Sequence, residues 1–208
     1  MLGVYGGTFN PVHYGHLRTA FEVTEFFQLD QLRLIPCRIP AHRRPPSVSA
    51  ETRFKLLQLA IKGMPGWIAD RRELDRPGPS YMVDTLASLR QEFPEEAMLL
   101  FMGQDAFNGI EQWHCWRRLF DYAHIVVMTR PGYQKQISSE WLHEKLTQTA
   151  PEVRHKPSGL LYFHTVTPLD ISSSNIRALI RAGRQAKFLM PDNVIQAIDQ
   201  QKLYQTGY

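Results

Sequence analysis

The strongest constraint on the fold is an alternation. Short apolar runs at residues 2–5, 32–35, 67–69, 98–102, 125–129 and 160–164 have the length of buried strands. Between them, residues 17–27, 51–61, 81–92 and 116–122 carry apolar side chains at helical spacing. Strand and helix in alternation imply a parallel sheet with right-handed crossovers and helices on both faces. The expected fold class is therefore α/β, a Rossmann-like doubly wound parallel sheet. Two further helices, at 172–182 and 192–200, form a small helical C-terminal subregion from about residue 170 to 208. Gly183 suits the stop of the first and Pro191 the first turn of the second. No repeat or linker divides the 208 residues, so residues 1–208 are expected to form a single domain.

Composition narrows the class further. Apolar residues make up 43% and charged residues 21%, which excludes a disordered chain. The formal charge is only +4, and the one dense basic cluster is Arg38, His42, Arg43 and Arg44. A small anionic substrate accounts for that cluster without a nucleic-acid partner. No apolar run approaches a membrane span, and the first residues lack the pattern of a signal peptide. With only Cys37 and Cys115, free thiols in a reducing cytoplasm are expected.

The most informative segment follows the first strand: Gly6-Gly7-Thr8-Phe9-Asn10-Pro11-Val12-His13-Tyr14-Gly15-His16. Its glycines let backbone approach a ligand, and its amides precede a helix N-terminus, so it can hold phosphate. It is neither a Walker A loop nor the dinucleotide Gly-x-Gly-x-x-Gly. His13 and His16, three apart at a helix start, share a face. As metal ligands they lack a nearby third partner, so no metal-binding residue is expected. Beside phosphates, two imidazoles can donate to charge building up on phosphorus oxygens. Near the other end stands Ile171-Ser172-Ser173-Ser174-Asn175-Ile176-Arg177. Serines here serve either as helix caps or, with Arg177, as a second phosphate cradle.

These two segments resemble the His-x-Gly-His and Ile-Ser-Ser-Thr-x-Ile-Arg signatures of the class I nucleotidyltransferases, with Ser174 in the usual threonine position. Further matches are Pro40-Ala41-His42-Arg43, Pro79-Ser80-Tyr81-Met82-Val83-Asp84-Thr85-Leu86, Gly103-Gln104-Asp105, Trp113 and Arg130-Pro131-Gly132. With them the chain resembles the bacterial nicotinate-mononucleotide adenylyltransferases over almost its whole length. Asn10 and Met82 stand where that family often has Asp and Thr.

The resemblance implies transfer of AMP from ATP to nicotinate mononucleotide, with Mg²⁺ carried by the ATP. It implies that His13, His16 and Arg177 are catalytic. It implies that Gly6, Gly7, Thr8, Phe9, His13, His16, Asp105, Ser172, Ser174 and Arg177 bind ATP, Asp105 through the adenosine ribose. For the acceptor it implies Thr8, Arg43, Ser80, Tyr81, Met82, Thr85, Trp113, His114 and Arg130. Trp113 would stack on the nicotinate ring, and amides near Met82 and His114 would receive its carboxylate. The alternatives are an adenylyltransferase acting on nicotinamide mononucleotide or pantetheine phosphate, and a nucleotide-binding regulator without turnover.

Overall fold

A computed structural model describes residues 1–40, 45–132, 137 and 139–205. Six strands, β1 (Leu2–Gly7), β2 (Gln31–Pro36), β3 (Trp67–Ala69), β4 (Met98–Gly103), β5 (His124–Thr129) and β6 (Leu161–Thr165), form one sheet in the order β3-β2-β1-β4-β5-β6. Every neighbouring pair runs parallel. The chain winds outward from β1 to β3, then returns to continue from β4 on the other side. The reversal lies between β1 and β4, and in such sheets the crevice beyond those strand ends is where ligands bind.

The longer helices are α1 (Tyr14–Phe27), α2 (Ala50–Ala60), α4 (Met82–Glu92), α8 (Ser173–Arg181) and α9 (Asp192–Gln200). Shorter ones are α3 (Arg72–Asp75), α5 (Gln104–Asn108), α6 (Leu119–Tyr122) and α7 (Glu140–Glu144). The strands alternate side chains between two cores, as a period of two requires. Leu32, Leu34, Leu99 and Phe101 pack against Leu17, Ala20, Val23 and Phe27 of α1 and against α2, α8 and α9. Leu2, Val4, Met98 and Leu100 pack on the opposite face against Val83, Leu86 and Leu89 of α4 and against α5, α6 and α7. Burial on both faces explains why β4 and β5 read as unbroken apolar runs.

The C-terminal helices complete the face begun by α1 and α2. Ile176 of α8 and Val194 and Ile198 of α9 enter the same core. Gly183 takes φ +67°, and its N–H bonds to Ile180 O while that of Arg184 bonds to Leu179 O, the paired closure that a left-handed residue permits. Pro191 is the N-cap of α9, one position earlier than expected from its suitability for a first turn. The helix expected over 116–122 is divided: a 3₁₀ turn at Trp116–Arg118 leads into α6. Cys115, at φ +49°, sets off that tighter turn.

Candidate active site

The loop after β1 is held by its carbonyls. Arg53, wholly buried in α2, donates from Nη1 to Thr8 O at 2.5 Å and from Nη2 to Cys37 O at 2.6 Å. Arg177 donates to Asn10 O at 2.7 Å and Ser173 Oγ to Pro11 O at 2.9 Å. Two arginines and a serine thus fix the backbone that carries the signature. Beside the loop opens a cleft of about 440 Å³, lined among others by Thr8, Asn10, His16, Ser174, Arg177 and Tyr204. Arg177 Nη2 also donates to the Ser174 hydroxyl oxygen at 3.2 Å. A guanidinium, a hydroxyl and a helix N-terminus together suit an anion.

His13 is the N-cap of α1, not a first-turn residue, and its carbonyl accepts from the N–H groups of His16 and Leu17. The two imidazoles still come together, with ring centroids 3.8 Å apart. Burial pushes His13 down to about 4, and burial followed by the neighbouring His13 holds His16 well below the usual histidine range. Both rings are therefore neutral at pH 7. Nδ1 of each is buried and finds no partner among the described residues. Gly15 is also required by the packing around it. A Cβ there would lie 2.9 Å from the His13 ring and 3.3 Å from Ile171 O, so this glycine lets the imidazole and the approach to α8 fit.

A second cleft, of about 390 Å³, lies on the β4 side. Ser80, Tyr81, Met82, Asp105, Trp113 and His114 line it, together with Gly6, Gly7 and Thr8. Trp113 is half-buried at the end of the 3₁₀ turn Ile110–Gln112. The Tyr81 and His114 rings lie against each other, centroids 4.5 Å apart and planes tilted by 35°. Tyr81 caps α4 without a side-chain hydrogen bond, leaving the start of that helix against the cleft. Met82 fills the space a side chain at Gly6 would need, since a Cβ there would come within 2.3 Å of its Cε. The two clefts meet at Thr8 and Pro40, which line both.

Some expected site residues lie elsewhere. Thr85 is fully buried one turn into α4, where its hydroxyl donates to Glu73 Oε1 at 2.7 Å and accepts from Arg76 at 3.0 Å. Ser172 spends its oxygen on the Asn175 N–H at 3.1 Å, so it is a helix cap. Asp105 shares the cleft of Trp113, not that of Arg177, and the N-cap of α5 is Gly103, so Asp105 is not a cap. Arg130 is exposed just beyond β5 and lines neither cleft. Arg43, with His42 and Arg44, lies outside the described residues. Among the described residues no three His, Cys, Asp or Glu side chains gather to hold a metal, and no helix is long and apolar enough to cross a membrane.

A family model described as cytidylyltransferase-like matches residues 4–179. The chain is 48% identical to a probable nicotinate-nucleotide adenylyltransferase of Methylococcus capsulatus, over 98% of this chain and 99% of that protein. It is 46% identical to the corresponding protein of Halorhodospira halophila, over 95% and 92%. The chain belongs to the nicotinate-nucleotide adenylyltransferase family. The same fold is seen in Plasmodium falciparum nicotinic acid mononucleotide adenylyltransferase complexed with NaAD. That structure superposes with a TM-score of 0.75 at 16% identity, covering 99% of this chain and 98% of that one.

In this adenylyltransferase three buried polar side chains escaped the sequence reading. Arg53 sits among Phe54, Leu56 and Leu57, and its place on the buried face of α2 is the one signal that could have exposed it. Glu73 lines the Trp113 cleft with its carboxyl pushed upward by burial. Tyr204 donates to Asn10 Oδ1 at 2.9 Å. The last two act across the fold, and no local pattern marks them.

Proposed function

We propose that the enzyme transfers the adenylyl group of ATP to nicotinate mononucleotide, giving nicotinate adenine dinucleotide and pyrophosphate. The observation that carries this reading is the pair of clefts meeting at Thr8, one built for anions and the other carrying an indole and a helix start. The triphosphate, with its Mg²⁺ as part of the substrate, belongs in the first, against Ser174, Arg177 and the two histidines. The mononucleotide belongs in the second. There Trp113 supplies a face for the electron-poor pyridine ring, an attraction of about 0.5–2 kcal/mol. Amides at the start of α4 suit its carboxylate. Asp105 then serves a ribose on that side of the crevice.

The mononucleotide phosphate attacks the α-phosphorus in line. A phosphorus–oxygen bond forms, the bond to the bridging oxygen of the β-phosphate breaks, and pyrophosphate leaves. A phosphate monoester is largely a dianion near neutrality, so no general base is needed. Alignment and charge stabilisation carry the catalysis. Neutral imidazoles contribute N–H donors. We read the chain as one nucleotidyltransferase domain and, with both cysteines free, as an enzyme of a reducing cytoplasm. Arg43 and Arg130 remain candidates for phosphate contacts of the bound substrates.

Pyrophosphate release with ATP and each of nicotinate mononucleotide, nicotinamide mononucleotide and pantetheine phosphate tests the assignment. Turnover is expected with the first. Turnover with pantetheine phosphate alone would move the acceptor assignment. ATP binding without release from any acceptor would make the protein a regulator.

A further inference from the structure

The match to the cytidylyltransferase-like model ends at residue 179, so α9 and the residues after it lie outside that model but within the length shared with the nicotinate-nucleotide adenylyltransferase relatives. They nonetheless reach the anion cleft. Asn193 Nδ2 ties the start of α9 to Leu59 O of α2 at 2.7 Å, and Val194 and Ile198 anchor the helix in the core. The chain then turns back through left-handed residues, Lys202 at φ +51° and Tyr204 at φ +63°. Bulky residues hold such backbone only where the surroundings require it. Here the result is a phenol, 7% exposed, in the lining of the cleft with its hydroxyl 2.9 Å from Asn10 Oδ1.

We propose that Tyr204 is a positioning residue of the nucleotide cleft, holding Asn10 in the orientation that phosphate binding requires. The inference rests on the reading that this cleft receives ATP. Asn10 is itself only 9% exposed and joins two partners: its side chain accepts from Tyr204 and its carbonyl accepts from Arg177. The C-terminal phenol therefore helps set where the Arg177 guanidinium stands. Donation to Oδ1 also fixes the amide, leaving Nδ2 as its remaining hydrogen-bonding group. Burial pushes the phenol ionisation upward, so the hydroxyl keeps its proton and the donor role persists across neutral pH.

The test is equilibrium binding of ATP by titration calorimetry, beside steady-state constants for both substrates. Tyr204→Phe keeps the ring and removes the donor. It is expected to raise the ATP Kd and KM about fivefold, the effect of one lost neutral hydrogen bond. The mononucleotide KM should stay within about twofold. In an Asn10→Ala background the same substitution should have no further effect, because its target is gone. In Asn10→Asp, which keeps an acceptor oxygen, it should keep its effect. If Asn10→Ala does not fold, Asn10→Ser, whose side chain is shorter, takes its place. An unchanged ATP Kd in Tyr204→Phe, equal shifts for both substrates, or an undiminished effect in the Asn10→Ala background would each overturn the proposal. Wild-type protein that binds ATP but does not turn over nicotinate mononucleotide would refute the reaction and leave this inference standing. Wild-type protein that does not bind ATP would refute both.

Discussion

At the scale of single residues, the two histidines and Trp113 divide the chemistry. His13 and His16 lie in contact, their rings tilted by 32°, and neutral, so each has an N–H to give and no charge. A donor aimed at developing transition-state charge is worth about 2.7–4 kcal/mol when removed. His16→Ala is therefore expected to lower kcat by about two to three orders of magnitude while the circular dichroism spectrum stays native. An unchanged kcat in the folded variant would make the pair a packing unit. Trp113 contributes on the other side. Trp113→Ala should raise the mononucleotide KM at least tenfold, about 1.4 kcal/mol, and leave the ATP KM alone, with Trp113→Phe recovering part. Steady-state kinetics with each substrate varied in turn reads this directly. A shift in the ATP constant alone would exchange the occupants of the two clefts.

At the scale of elements, the three serines at the start of α8 have three different tasks. Ser172 caps the helix, Ser173 holds Pro11 O, and Ser174 stands with Arg177 in the cleft. Ser172→Ala should cost about 1 kcal/mol of stability, a fall in Tm of roughly 2–4 °C, with ATP affinity nearly unchanged. Ser174→Ala should do the reverse, weakening ATP with little change in Tm. Thermal melts and ATP titrations on both variants check the division, and matched behaviour would refute it. The sequence could not separate these serines, because their neighbours are alike and only the docking of α8 on the β1 loop distinguishes them. The strands and long helices were legible, since burial on one or both faces leaves a period in the residues. The one-turn helices α3 and α7 were not, because four or five residues are too few for a period to show. Thr85 looked like a ligand residue by its motif, yet its position one turn into α4 directs it to Glu73.

At the scale of the whole molecule, the buried histidines link the fold to pH. His13, His16, His124 and His164 are all held below the usual histidine range, burial being the first cause in each. His124 shows why its neutral form matters: Nδ1 accepts from the Leu160 N–H at 3.1 Å, so Nε2 carries the proton donated to Lys156 O at 2.9 Å. Protonating Nδ1 would remove that acceptor and weaken the join of β5 to the chain before β6. Between about pH 6.5 and 4 the unfolded chain takes up protons that the folded chain refuses, so stability falls as pH falls through this window. For His13 alone, the shift from 6.5 to about 4 corresponds to about 3 kcal/mol. Glu73 works in the opposite direction, because its raised carboxyl is relieved by acid. It is one group against four. Asp70 and Glu22, held low by their hydrogen-bonded partners despite burial, begin to lose their contribution near the ordinary carboxylate values, so they add to the fall at the acid end of this window and below it. Urea denaturation at pH 7 and at pH 5 should therefore show a lower midpoint at pH 5. His13→Asn should flatten the difference whatever its own stability at pH 7. A midpoint that does not move between the two pH values would mean that the histidines protonate freely in the native fold, and that the dry packing of the pair beside the β1 loop does not persist in solution.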